Sequence, residues 1–175
     1  MVVRRLPLAF LCLLLGAAVL TAQAQDSSHG GIAVSDAWAR ATPAAARNGS
    51  VYATVHNGGD APDRLLGIES DVAASGAIHE MTMDNGVARM RPVNDGLAVA
   101  PGESVTLAPG GMHGMLIGLK QPLKAGETLH AMAVFERAGR IAIAVPVVAM
   151  GAPSPEGQTM EMQPGMEMPQ GGSRP

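Results

Sequence analysis

Nine short runs rich in Val, Ala, Ile, Leu and Thr, each closed off by a Gly-, Asn- or Pro-containing turn, constrain this chain more than any other feature. The candidate strands are Ile32–Trp38, Val51–Asn57, Arg64–Glu69, Ala77–Met83, Val87–Pro92, Ser104–Leu107, Met112–Leu119, Thr128–Phe135 and Ile141–Val148. Between them fall Asn57-Gly-Gly-Asp60, Asp84-Asn-Gly86, Asn94-Asp-Gly96, Pro101-Gly102, Pro109-Gly-Gly111, Lys124-Ala-Gly126 and Ala138-Gly139. Regular short strands with such punctuation predict an all-β sandwich or barrel. No long segment carries a helical period.

The ends read differently. Arg4 and Arg5 precede an apolar run from Leu6 to Leu20, and Ala22-Gln23-Ala24 fits a small-residue cleavage site, so residues 1–24 read as a cleaved secretory signal. The run is shorter than the roughly 20 residues a membrane span needs. Lipid attachment through Cys12 fits poorly, because bulky Phe10 and Leu11 stand before it inside the apolar run. Cleavage removes the single cysteine, so the mature chain has neither a disulfide nor a thiol. Residues 25–30 read as a flexible N-terminus, 31–150 as the folded domain and 151–175 as a tail. The tail holds five Pro and five Gly in 25 residues, with no aliphatic pattern to bury, and reads as disordered. Taking Arg4 and Arg5 from the 12 basic residues leaves 10 against 15 acidic, a formal charge of −5. With no basic run, nucleic acid is excluded as a partner. No membrane span remains after signal cleavage, and the chain is expected to be monomeric and periplasmic.

Asn85-Gly86 is a two-residue hairpin signal that fixes a register. Folding about it pairs Asp84 with Val87, Met83 with Ala88, Thr82 with Arg89, Met81 with Met90 and Glu80 with Arg91. His79, Met81, Met83 and Met90 then share one face. His113 and Met115, two residues apart, likewise leave one face of their strand. If that strand lies beside the hairpin, His79, Met90, His113 and Met115 converge on one ion. Imidazole nitrogen with thioether sulfur is a neutral, soft donor set that favours Cu(I) over harder divalent ions. Thioethers also survive an oxidising compartment without forming disulfides. Alternating Met on a strand is also how cores are filled. What favours ligation is the combination of two His, each followed two residues later by Met, with a register that adds Met90.

At these residues the chain resembles the periplasmic PCu(A)C copper chaperones. The resemblance rests on His79-x10-Met90 followed by His113-x-Met115. It extends to Ala37-Trp-Ala-Arg-Ala-Thr42, Asn57-Gly-Gly-Asp-Ala-Pro-Asp-Arg64, His79-Glu-Met-Thr-Met-Asp-Asn-Gly-Val87 and Leu119-Lys-Gln-Pro-Leu123, and covers about Gly31 to Val148. One departure stands out: 22 residues separate Met90 from His113, one more than the 21 of the family pattern, and Asn94-Asp-Gly96 is a turn able to absorb it. The resemblance implies a cupredoxin-like Greek-key β-sandwich holding Cu(I) through His79, Met90, His113 and Met115. It also implies delivery toward the binuclear copper centre of cytochrome c oxidase, with that oxidase subunit and a thiol-bearing Sco-type protein as partners. Met81 and Met83 lie outside that ligand set and stand as guards or alternate ligands.

Other candidates are weaker. His130-Ala-Met132 repeats the spacing but has no counterpart in the family pattern, and reads as strand packing. His56 reads as a surface residue, and His29 is too far from the expected N-terminus for an amino-terminal clip. Whether a Cu(II) form exists, using water or His29, is left open. Met160, Met162, Met166 and Met168 place four thioethers in nine residues of a tail with no core to fill, which reads as a second Cu(I) ligand set. The reading is a metallochaperone acting by ligand exchange, and not an enzyme. The alternative is a copper-buffering protein, which loss of copper tolerance without loss of oxidase assembly would favour. An electron-transfer cupredoxin needs a Cys thiolate, and none remains.

Overall fold

A computed structural model describes residues 26–153 and Pro155. Eleven strands follow in order: β1 Ser27–His29, β2 Ile32–Arg40, β3 Asn48–Asn57, β4 Asp63–Glu69, β5 Ser75–Asp84, β6 Val87–Pro92, β7 Leu97–Val99, β8 Ser104–Leu107, β9 Met112–Ile117, β10 Thr128–Phe135 and β11 Arg140–Val148. Alternation explains the long ones. In β11, Ile141, Ile143, Val145 and Val147 are buried and alternate with more exposed residues, and in β10 Leu129, Ala131, Ala133 and Phe135 do the same. No helix forms among the described residues.

The strands pair in the order β6-β5-β9-β3-β2-β11-β10-β4-β7, with β1 added to β2 and β8 to β3. This path curls until β4 packs across β5 and β9, giving the expected cupredoxin-like β-sandwich. All neighbours are antiparallel except β11 and β2, which run parallel where Val148 meets Arg40. Leu65, Ile68, Ile78, Leu107, Leu116, Val51 and Val145 fill the interior. Where β4 crosses β5 and β9 the backbones come very close. A Cβ on Gly76 would fall on the Ile68 carbonyl oxygen, and one on Gly114 would sit 2.7 Å from Ile68 Cδ1.

The β5–β6 hairpin has the register its turn dictates. Asn85 and Gly86 have φ of 50° and 80°, both in the left-handed region a two-residue turn of this kind requires. Asp84 pairs with Val87, Met83 with Ala88, Thr82 with Arg89, Met81 with Met90 and Glu80 with Arg91. Asn94-Asp-Gly96 forms a turn: Gly96 N–H donates to Val93 O at 3.0 Å with Gly96 at φ 70°.

The structure differs from the sequence reading at both short strands. Residues 27–29, expected to be loose, form β1 and pair with β2 across a Gly30-Gly31 turn whose φ values are both positive. Strand β7 is three residues long, too short to show alternation, and exists because it pairs with β4. Residues 1–24 and the tail methionines lie outside the described residues.

Asp63 ties the start of β4 to the β10–β11 turn. Its buried carboxylate accepts the backbone N–H groups of Arg64 at 2.7 Å, Arg137 at 2.9 Å and Ala138 at 2.8 Å. Burial by itself pushes this carboxyl up. The three N–H groups and the Arg137 cation outweigh it, so the pKa lies below the ordinary 3.8. A depressed carboxyl contributes stability above the unfolded value that disappears as pH falls through the folded one. Asp63→Asn is therefore expected to cost about 2 kcal/mol at neutral pH, with the deficit shrinking below pH 3.8. Thermal melts of both proteins at pH 7 and pH 3 check this, and equal deficits at the two values would contradict it.

Candidate metal centre

Strand β9 is the organising element. Its edges pair with β3, matching Met115 to Ser50, and with β5, matching His79 to His113 and Ala77 to Met115. Since residues opposite one another share a face, His79, Met81, His113 and Met115 all leave the side of the sheet away from Ile78, Leu116 and the core. The two imidazoles lie with centroids 6.1 Å apart and planes at 51°.

The hydrogen bonding of these rings is lopsided. His113 Nδ1 lies 3.0 Å from Gly111 O, and a carbonyl only accepts, so Nδ1 carries the proton. That leaves the Nε2 lone pair bare, and Nε2 is buried with no hydrogen-bond partner, on a residue only 3% exposed. His79 Nδ1 is likewise buried without a partner. Burial lowers the His79 pKa below 6.5, and the neighbouring His113 lowers it further, so the ring is neutral at neutral pH. Two buried, unpartnered nitrogens on one face are costly to leave unsatisfied, and a metal ion is the kind of partner that suits them. The same Gly111 carbonyl also accepts the Met81 N–H at 3.1 Å, fixing the local backbone of both strands.

The thioethers divide into two groups. Met115 is 8% exposed and two residues from His113 on the same face, so it is close to both imidazoles. Met90 is one strand further out, directly opposite Met81, and 45% exposed. Met83, next along the same face of β5, is 68% exposed. The structure thus clusters His79, His113 and Met115 and sets Met90 at their rim, beside Met81. Among the described residues, no group of three or more His, Cys, Asp or Glu is arranged to hold a metal.

The rival histidines stand elsewhere. His130 lies on β10 opposite Ala144, with Met132 opposite Glu69, in the other half of the strand path. His56 Nδ1 shares a 3.0 Å hydrogen bond with Ser104 Oγ, and His29 pairs with Ile32 in the N-terminal hairpin.

Sequence reasoning did not assign a role to Tyr52 and Trp38. Across β3 and β2 they extend the histidine row: Tyr52 lies 6.4 Å from His113 and Trp38 4.4 Å from Tyr52, with Arg40 at 5.6 Å over the Trp38 ring. Both are buried on the face away from the core, so they wall one side of the centre. The available signal was scarcity. The chain has one Trp and one Tyr, both on neighbouring strands of this row.

The fold is a small β-sandwich that gathers His79, His113 and Met115 on one face, with Met90 at the rim. The chain belongs to the "Putative lipoprotein LpqE-like" family, which matches residues 32–147 and is the PCu(A)C family. It is 34% identical over 127 residues to a protein of Leifsonia xyli subsp. xyli named Putative lipoprotein Lxx21020, covering 73% of this chain and 75% of that one. Among solved structures it is similar to a copper-bound PCuAC domain from PmoF2, with a TM-score of 0.60, 29% identity, and coverage of 71% of this chain and 98% of that one. It is also similar to the Cu(I) form of DR1885 from Deinococcus radiodurans, with a TM-score of 0.52, 32% identity, and coverage of 66% and 76%.

Proposed function

We propose that this protein is an extracytoplasmic Cu(I) chaperone that binds one ion through His79, His113, Met115 and Met90 and releases it by ligand exchange. The observation that carries the reading is the pair of buried, unpartnered nitrogens, His79 Nδ1 and His113 Nε2, on the face that bears Met115. Neutral nitrogen and thioether donors suit Cu(I), and structural relatives described as copper-bound and Cu(I)-bound support the same ion. Met90, held on an exposed edge strand, is the natural first donor to leave. An acceptor's thiolate replaces it, and Met115 and the imidazoles follow, each exchange breaking one weak bond as a stronger one forms. The family resemblance supports cytochrome c oxidase as destination, with a Sco-type thiol protein as partner. The lipoprotein names within the family support a location outside the cytoplasm.

The tail donors Met160, Met162, Met166 and Met168 are proposed as accessory ligands that collect or hand over the ion. One experiment tests both parts: anaerobic Cu(I) titration of the secreted protein against a competing chelator, repeated after deletion of residues 151–175. One tight equivalent with nitrogen and sulfur neighbours in X-ray absorption is expected in each. The tail adds weaker equivalents and a faster transfer rate. Absence of tight binding in the full chain refutes the chaperone reading. Unchanged stoichiometry and rate after deletion refute the accessory role alone.

A further inference from the structure

The hairpin carries more thioethers than the centre uses. Met81, Met83 and Met90 share one face of β5 and β6, with Met81 directly opposite Met90 and Met83 diagonal to it. Directly opposed strand residues have Cα atoms about 4.5–5.5 Å apart, and diagonal ones about 7–8 Å. Three unbranched, flexible Met side chains at those spacings reach a common point. Core packing does not explain them, since every residue of β6 is exposed and Met83 is 68% exposed. Leaving Met83 and Met90 together in solvent, with half-buried Met81 beside them, gains nothing by burial.

We infer that Met81, Met83 and Met90 form a second, outer Cu(I) position of three thioethers, sharing Met90 with the inner centre. This rests on the chaperone reading above and adds a route to it. Exposure falls steadily along the path, from 68% at Met83 through 45% at Met90 to 8% at Met115 and 3% at His113. The ion enters at the hairpin tip, where thioethers are accessible and bind weakly. Met90 then keeps hold of it while Met81 and Met83 are exchanged for His79, His113 and Met115. No strand has to separate, because the Gly111 carbonyl already anchors the Met81 backbone and the His113 ring.

The test is a Cu(I) titration of the full secreted chain with carbon-13 in every methionine methyl group, followed by NMR. The first equivalent is expected to move the Met115 and Met90 methyls and both histidine rings. Further Cu(I) is expected to move Met81, Met83 and Met90 together. Met81 and Met83 methyls that stay in place at every copper level overturn the outer position. If Met115 and the histidine rings are also unmoved, it is the chaperone reading that fails. A kinetic arm uses Met81→Leu combined with Met83→Leu, near-isosteric changes that spare the inner donors. Equilibrium affinity should stay within about threefold while loading from a Cu(I)–chelator complex slows about tenfold. Unchanged loading overturns the route.

Discussion

His113→Ala is expected to lower Cu(I) affinity by more than about a hundredfold, the largest loss from any single change at the centre. Removing a group that merely orients a metal-bound histidine costs about 10- to 100-fold, and His113 is proposed to bind the ion itself. Its ring is also the most constrained donor: Nδ1 is tied to Gly111 O, one side faces Tyr52, and β9 is pressed onto Ile68 at Gly114. Met115→Leu, which keeps the packing, should cost less, because Met81 stands in reserve on the same face. Chelator competition under anaerobic conditions reads both. Equal affinity in wild type and His113→Ala would remove the β9 centre from the copper chemistry.

The largest effect on the fold is expected at Gly76, far in character from the chemistry yet one strand position from the centre. A Cβ there collides with the backbone carbonyl of Ile68, and backbone cannot rotate away as the end of a side chain can. Gly76→Ala must push β4 off β5, opening the sandwich along the seam that also seats Gly114. A cost of about 4 kcal/mol or more places it among the exceptional single substitutions, against a total stability of about 5–15 kcal/mol. For a domain of this size that is a fall of roughly 12–20 °C in Tm. Gly111→Ala is the control: its Cβ meets only Ala108 O at 3.8 Å, and its backbone needs no left-handed conformation, so Tm should barely move. A Gly76→Ala melt within about 2 °C of wild type would show that β4 and β5 do not meet as closely as described.

What could be read from the sequence was local. Asn85-Gly86 set the hairpin register residue by residue because a two-residue turn leaves no freedom to slip, so Met81 opposite Met90 was predictable and is found. The strands of β10 and β11 followed from alternation. The pairing of β5 with β9 was not legible: it joins His79 to His113 across 33 intervening residues, and hydrophobic alternation says which face a residue takes but not which strand lies beside it. It entered as a condition and the structure meets it. The row through Tyr52 and Trp38 was hidden for the same reason, since β3 reaches β9 across the five strands that lie between them in sequence. Strand β1 was missed because chain ends are commonly loose, although the two successive glycines that follow it, Gly30 and Gly31, are also a hairpin turn.

The centre's donors are all uncharged, and this has an electrical consequence for recognition. With the proposed ligands, Cu(I) bound by imidazole and thioether donors brings its unit of charge to that face, since no carboxylate belongs to the set. The empty and filled proteins then differ by one positive charge at a fixed spot, on a surface that is otherwise net acidic. An acceptor whose thiolates carry negative charge is drawn to the loaded form and released by the emptied one. On the chaperone reading, charge alone then favours docking of the loaded form over the empty one.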